Sequence, residues 1–203
     1  MRPSVVRLRL ISALCIIAMA GASLVGATVS KQQADVFVRK IGEIAKPNPP
    51  AIKPGTRRTP VTEGELNSWF AYQAQPLLPR GVTAPEVSII GNGKVSGKAV
   101  VDLEAVGQGR SSGGMLDPWS LLGGRVPLNV AGTLTTRDGT GRFDLESADI
   151  SGLPIPKLLV QELLTYYSRS ESRPQGLRLD DPFSLPANIR QIEVGQGHAV
   201  VVQ

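Results

Sequence analysis

One cysteine and one histidine are all that 203 residues contain of either type. The cysteine, Cys15, lies inside an early apolar run, so everything after it lacks a disulfide, a thiolate metal site and a cysteine nucleophile. The histidine, His198, falls in an apolar strand pattern near the C-terminal end. It has no second histidine or thiol with which to build a zinc site or a nucleophilic triad, and it reads as structural. Aromatic residues make up only 4%. A long hydrophobic run is missing too: Leu10–Val25 has 16 residues, short of the ~20 that a spanning helix needs.

Other chemistry is absent as well. No serine sits in a Gly-x-Ser-x-Gly elbow. Residues 93–99 have a glycine and lysine spacing that briefly resembles a phosphate loop. The spacing fails, no Ser or Thr follows Lys98, and the stretch falls in a hairpin pattern rather than before a helix. Asp102 with Glu104, and Asp144 with Glu146, each place two carboxylates on one strand face, but on the face that points to water. Asp180-Asp181 precedes a proline and reads as turn chemistry, not a calcium loop. The expectation is therefore a non-enzyme with no catalytic residue, no metal and no cofactor.

What is present begins with a leader. Arg2, Arg7 and Arg9 precede Leu10–Ala20, an apolar run broken only by Ser12. Ala18-Met19-Ala20 and Val25-Gly26-Ala27 both have the small-residue form of a processing site. Residues 1–27 read as an export signal, which places the protein in the periplasm or outside the cell. The alternative is an uncleaved leader that serves as an anchor. Leu14 and Ser12 stand where a lipoprotein signal would need a small residue and a leucine-like one, so Cys15 reads as a plain part of the leader. Of the chain's net charge of +5, three positive charges belong to the leader arginines, which leaves +2 on the remainder. A charge that small argues against a nucleic-acid partner.

Residues 28–60 read as a helix and a proline-rich spacer. In Ser30–Ala45 the apolar Ala34, Phe37, Ile41 and Ile44 recur at helical spacing. Residues 46–60 hold five prolines and no core pattern. Arg57-Arg58 within it reads as a solubilising pair, or else as a contact for acidic lipid headgroups.

Residues 61–203 read as a single α+β domain. Thr62-Glu63-Gly64-Glu65 is a capping box, with Val61 and Leu66 placed as its hydrophobic staple. The helix it starts is expected to bury Leu66, Trp69, Phe70 and Ala74. Val95, Gly97, Ala99, Val101, Leu103 and Ala105 then alternate with mostly polar residues, as in an antiparallel strand with one wet face. A bulged three-residue hairpin loop, Gly91-Asn92-Gly93 with Gly93 left-handed, keeps the apolar face intact by pairing Ile89 with Val95 and Val87 with Gly97. A two-residue loop at Asp138-Gly139 pairs Leu134 with Phe143 and Gly132 with Leu145. Small residues on the inner faces (Gly97, Ala99, Gly132) leave room for something to lie against the sheet. Residues 156–170 read as an apolar helix carrying Leu159, Leu163, Tyr166 and Tyr167. Asp181-Pro182-Phe183 and Leu185-Pro186 read as a packed irregular stretch, and 189–202 as one final strand kinked at Gly195 or Gly197. Residues 107–124 are too long for a tight turn. They carry Met115, Leu116, Trp119, Leu121 and Leu122, read as a lid or a membrane- or partner-touching tip, or else as a loop packed on the core.

Thr62-Glu63-Gly64-Glu65-Leu66-Asn67, the glycine-broken strands, Ile150-Ser151-Gly152-Leu153-Pro154-Ile155-Pro156 and the apolar helix after them carry a resemblance. Residues 61–203 resemble uncharacterised exported bacterial proteins, and in outline are similar to LmeA-type phospholipid-binding proteins and the wider class of tubular lipid-binding domains. The resemblance implies a curved antiparallel sheet of about five strands, packed on or wrapped around one long apolar helix, with a capped helix before the sheet. It implies acyl chains held between sheet and helix. Trp69, Phe70, Leu159, Leu163, Tyr166 and Tyr167 are then the expected lining of a hydrophobic cleft. The expected partners are a lipid or other apolar ligand and a membrane surface. The alternative is a structural or assembly protein of the cell envelope, with the same cleft filled by side chains and a protein partner outside.

Overall fold

The protein's computed structural model describes residues 29–46, 53–103, 124–169 and 174–203. In chain order its elements are α1 (Lys31–Ala45), β1 (Arg58–Thr62), α2 (Glu63–Tyr72), β2 (Val82–Gly91), β3 (Lys94–Asp102), β4 (Arg125–Arg137), β5 (Thr140–Ile150), β6 (Leu153–Pro154), α3 (Lys157–Ser168), β7 (Phe183–Ser184), β8 (Gln191–Gly195) and β9 (His198–Val202). The fold is α+β. The main sheet is antiparallel and has six strands in the order β2-β3-β4-β5-β6, with β7 paired to the other end of β5. A second sheet has the order β1-β9-β8.

Both internal hairpins take the register that alternation requires. Ile89 faces Val95 and Val87 faces Gly97. The loop between them is tighter than the three residues expected: Gly91 pairs with Lys94, and the extra residue is absorbed as a bulge between Ile89 and Gly91. Gly93 is left-handed, with φ 81°. In the second hairpin Leu134 faces Phe143, Thr133 faces Asp144 and Gly132 faces Leu145. Asp138 (φ 48°) and Gly139 (φ 81°) form the type I′ turn that matches the twist of the strands. Val95, Gly97, Ala99 and Val101 therefore line up with Gly132, Val130, Leu128 and Val126 on one apolar face.

The capping box forms in full: Thr62 Oγ1 accepts from the Glu65 amide at 3.2 Å, and Glu65 Oε2 accepts from the Thr62 amide at 3.0 Å. Helix α1 lies against α2, with Ala34, Phe37 and Ile44 buried and Ile41 45% exposed. Two polar links fix the pair. Lys40 Nζ donates to both carboxylate oxygens of Glu65 at 2.7 Å, and the buried Ser68 hydroxyl joins the Ser30 amide to Gln33.

Helix α2 also closes the outer edge of β2. The Asn67 side chain donates to Val87 O and accepts from Val87 N, both at 2.8 Å, as a neighbouring strand would. Glu63 accepts from the Ile89 amide at 2.6 Å. Asn67→Ala is expected to cost about 2 kcal/mol in urea unfolding, because it strands two part-buried backbone groups. A loss under about 0.5 kcal/mol would show that water already satisfies that edge.

The spacer expected over 46–60 ends in a strand. Pro60 pairs with Val200, and the missing proline N–H is tolerated because β1 is an edge strand. Arg57 and Arg58 are both engaged: Arg57 donates to the carbonyls of Glu43 and Lys46, and Arg58 pairs with Glu193. The single final strand expected over 189–202 is instead a hairpin, β8–β9, turned at Gln196-Gly197. Ile192 faces Val201 and Val194 faces Ala199, so the turn brings the apolar residues of both runs to one face. His198 sits at this turn, exposed, with Nδ1 2.9 Å from Gln196 O. Strand β8 lies across the turn end of the main sheet, where Thr136 Oγ1 donates to Ile192 O and accepts from Ile192 N.

Candidate functional site

The apolar face of the main sheet divides in two. At its far end Val101, Leu103 and Ile150 form a tight cluster with Leu163 of α3, and Val126, Leu128, Leu159, Tyr166 and Tyr167 pack around it. Beside this cluster lies a cleft of about 990 Å³. Its floor is Ala99, Val101, Leu128 and Val130 from the sheet, and its roof is Val160, Leu163, Leu164 and Tyr167 from α3. The third side is the segment 176–184, which brings Leu177, Leu179 and Phe183 to the lining. A volume of this size is at the upper end for small-molecule sites, and an apolar lining with few polar groups is their usual character.

Helix α3 has Pro156 as its N-cap and runs 12 residues, Lys157–Ser168. It is not apolar all round in effect. Leu158 is 67% exposed, and Gln161 reaches sideways to hold segment 176–184. Gln161 Nε2 donates to Leu177 O at 3.0 Å, and its Oε1 accepts from Leu179 N at 2.7 Å. Ser168 Oγ accepts from Leu177 N at 2.6 Å. The segment is thus strapped to the helix by side chains that take the place of a strand partner.

Of the residues expected to line a cleft, Leu163 and Tyr167 do so. Leu159 and Tyr166 pack in the adjoining cluster, and Tyr166 meets Tyr167 edge-on at 5.1 Å. Trp69 and Phe70 are elsewhere. Trp69 lies between Phe37, at 5.3 Å, and Phe70, at 5.2 Å, and neither it nor Phe70 is part of the cleft lining. Trp69 thus meets α1 through Phe37, and Phe70 packs on Trp69. Met115, Leu116, Trp119, Leu121 and Leu122 lie outside the described residues. Of the small inner-face residues, Ala99 opens onto the cleft, whereas Gly132 is covered: a Cβ there would lie 2.6 Å from the Phe143 ring.

The cleft has few polar groups. The Tyr167 hydroxyl donates to Asp102 O at 3.4 Å. Burial, with Tyr166 and Asp102 adjacent, pushes it up to about 12, so it stays neutral near pH 7. Among the described residues, Arg178 and Asp181 are the charged ones of the lining, with Nε and Oδ1 3.7 Å apart. Next to them Lys157 holds Asp180: its hydrogen bond and charge, together with Arg142 and Arg178, keep that carboxyl below the usual carboxylate range. Among the described residues no group of histidine, cysteine and carboxylate side chains could hold a metal, and no helix is long and apolar enough to cross a membrane. No family model, curated protein or solved structure matches this chain.

Proposed function

We propose that the protein is a non-enzymatic, extracytoplasmic lipid-binding protein of the cell envelope, with acyl chains held between a curved sheet and the helix 157–168. The observation that carries this reading is the cleft of about 990 Å³ between Ala99, Val101, Leu128 and Val130 on one side and Leu163, Leu164 and Tyr167 on the other. A hydrocarbon chain in such a cleft needs no hydrogen-bonding partner. Its affinity comes from apolar surface leaving water, about 25 cal/mol per Å². The leader read in residues 1–27 supports a compartment in the periplasm or outside the cell.

Native mass spectrometry of the protein, exported by its own leader and mixed with total membrane lipid, tests the reading. One-to-one adducts at phospholipid or fatty-acid masses are expected. Absence of adducts, together with no transfer of labelled lipid between vesicles, rejects it.

A further inference from the structure

This inference rests on the lipid-binding reading and concerns the headgroup that accompanies the acyl chain. Arg178 and Asp181, the charged residues of the cleft lining, lie close together on segment 176–184. Their side chains are 74% and 62% exposed. A pair this open to water is weak, so its members are free to exchange each other for a ligand's groups. The charges around them are matched in the same way. Lys157 pairs with Asp180, and Arg142 pairs with Asp144 at 2.8 Å. Among the described residues the two charges of the lining cancel, and the neighbouring Lys157–Asp180 pair is matched as well.

We propose that the cleft selects zwitterionic phospholipids, with the phosphate on the Arg178 guanidinium and the ammonium against Asp181. A guanidinium presents a planar fork of N–H donors that suits phosphate, and a carboxylate accepts from an ammonium. A headgroup with a net negative charge satisfies Arg178 but meets like charge at Asp181. A headgroup with a net positive charge satisfies Asp181 but meets like charge at Arg178.

The test is transfer of labelled lipid between vesicles by the full chain. Phosphatidylethanolamine is compared with phosphatidylglycerol of identical acyl chains, at low and at high salt. Zwitterionic lipid is expected to move at least fivefold faster. Asp181→Lys should bring the two rates together by speeding the anionic lipid. The charge-swapped double variant, Arg178→Asp with Asp181→Arg, keeps the two lining charges cancelled and should restore the preference for the zwitterion. Transfer of both lipids at equal rates, or of the anionic lipid faster, overturns the headgroup assignment and leaves the carrier reading standing. No transfer of either lipid overturns the carrier reading itself, and this inference with it.

Discussion

Ala99→Phe should abolish lipid uptake while leaving the fold in place. Ala99 sits in the cleft floor opposite Leu128 in register. Its side chain is the smallest of that floor, so the site has depth where a larger residue would remove it. A benzyl group there denies a ligand about 100 Å² of contact, which at 25 cal/mol per Å² is about 2.5 kcal/mol and more than tenfold in affinity. In a packed core the same change would cost about 1–3 kcal/mol of stability, because the neighbours would have to move. Here the ring enters a cleft of about 990 Å³, so the unfolding midpoint should stay near that of the parent. Val100→Phe, one residue along on the opposite face of β3 and facing Pro127 across the ladder, is the matched control. Uptake by vesicle assay should survive in the control and be lost in Ala99→Phe. Equal uptake by both would mean that acyl chains do not use this cleft.

The floor and roof of that cleft are legible in the local pattern of residues, and its third wall is not. The floor follows from two-residue alternation and from turn chemistry at Asn92-Gly93 and Asp138-Gly139, signals that lie within a few residues of the bonds they set. The roof follows from the spacing of Leu163 and Tyr167 on α3. Segment 176–184 carries no such period. It is held by Gln161, Thr165 and Ser168, whose side chains bond its backbone, so the information that places it is on another element. Strand β1 escapes notice for the same reason. Its partner, β9, lies more than a hundred residues later, and Arg58 and Pro60 look like spacer until Val200 and Val202 are set beside them. Trp69 and Phe70 lie apart from that cleft: Trp69 packs on Phe37 of α1, a contact set by another element and not by the local pattern of α2.

Gly176→Ala should be the most destabilising single methyl addition in the cleft wall. Gly176 has φ +67°, and alanine there loses about 1 kcal/mol to the left-handed conformation alone. The added Cβ would also lie 2.9 Å from Thr165 Cα and well inside contact distance of Thr165 O. Those are backbone atoms of the last turn of α3, which cannot give way as a side-chain tip can. Relief requires the strap itself to lift, with loss of the bonds from Ser168 to Leu177 N and from Gln161 to Leu179 N. The clash adds about 2 kcal/mol, for a total of about 3 kcal/mol. Gly152→Ala separates the two contributions, since Gly152 has φ +82° with nothing within 4 Å of the added Cβ. That variant should lose only the conformational part, about 1 kcal/mol. Hydrogen exchange should show the Leu177 and Leu179 amides opening in Gly176→Ala and unchanged in Gly152→Ala. Equal stability losses in the two variants would mean that segment 176–184 is not seated on α3, and the cleft would then have only a floor and a roof.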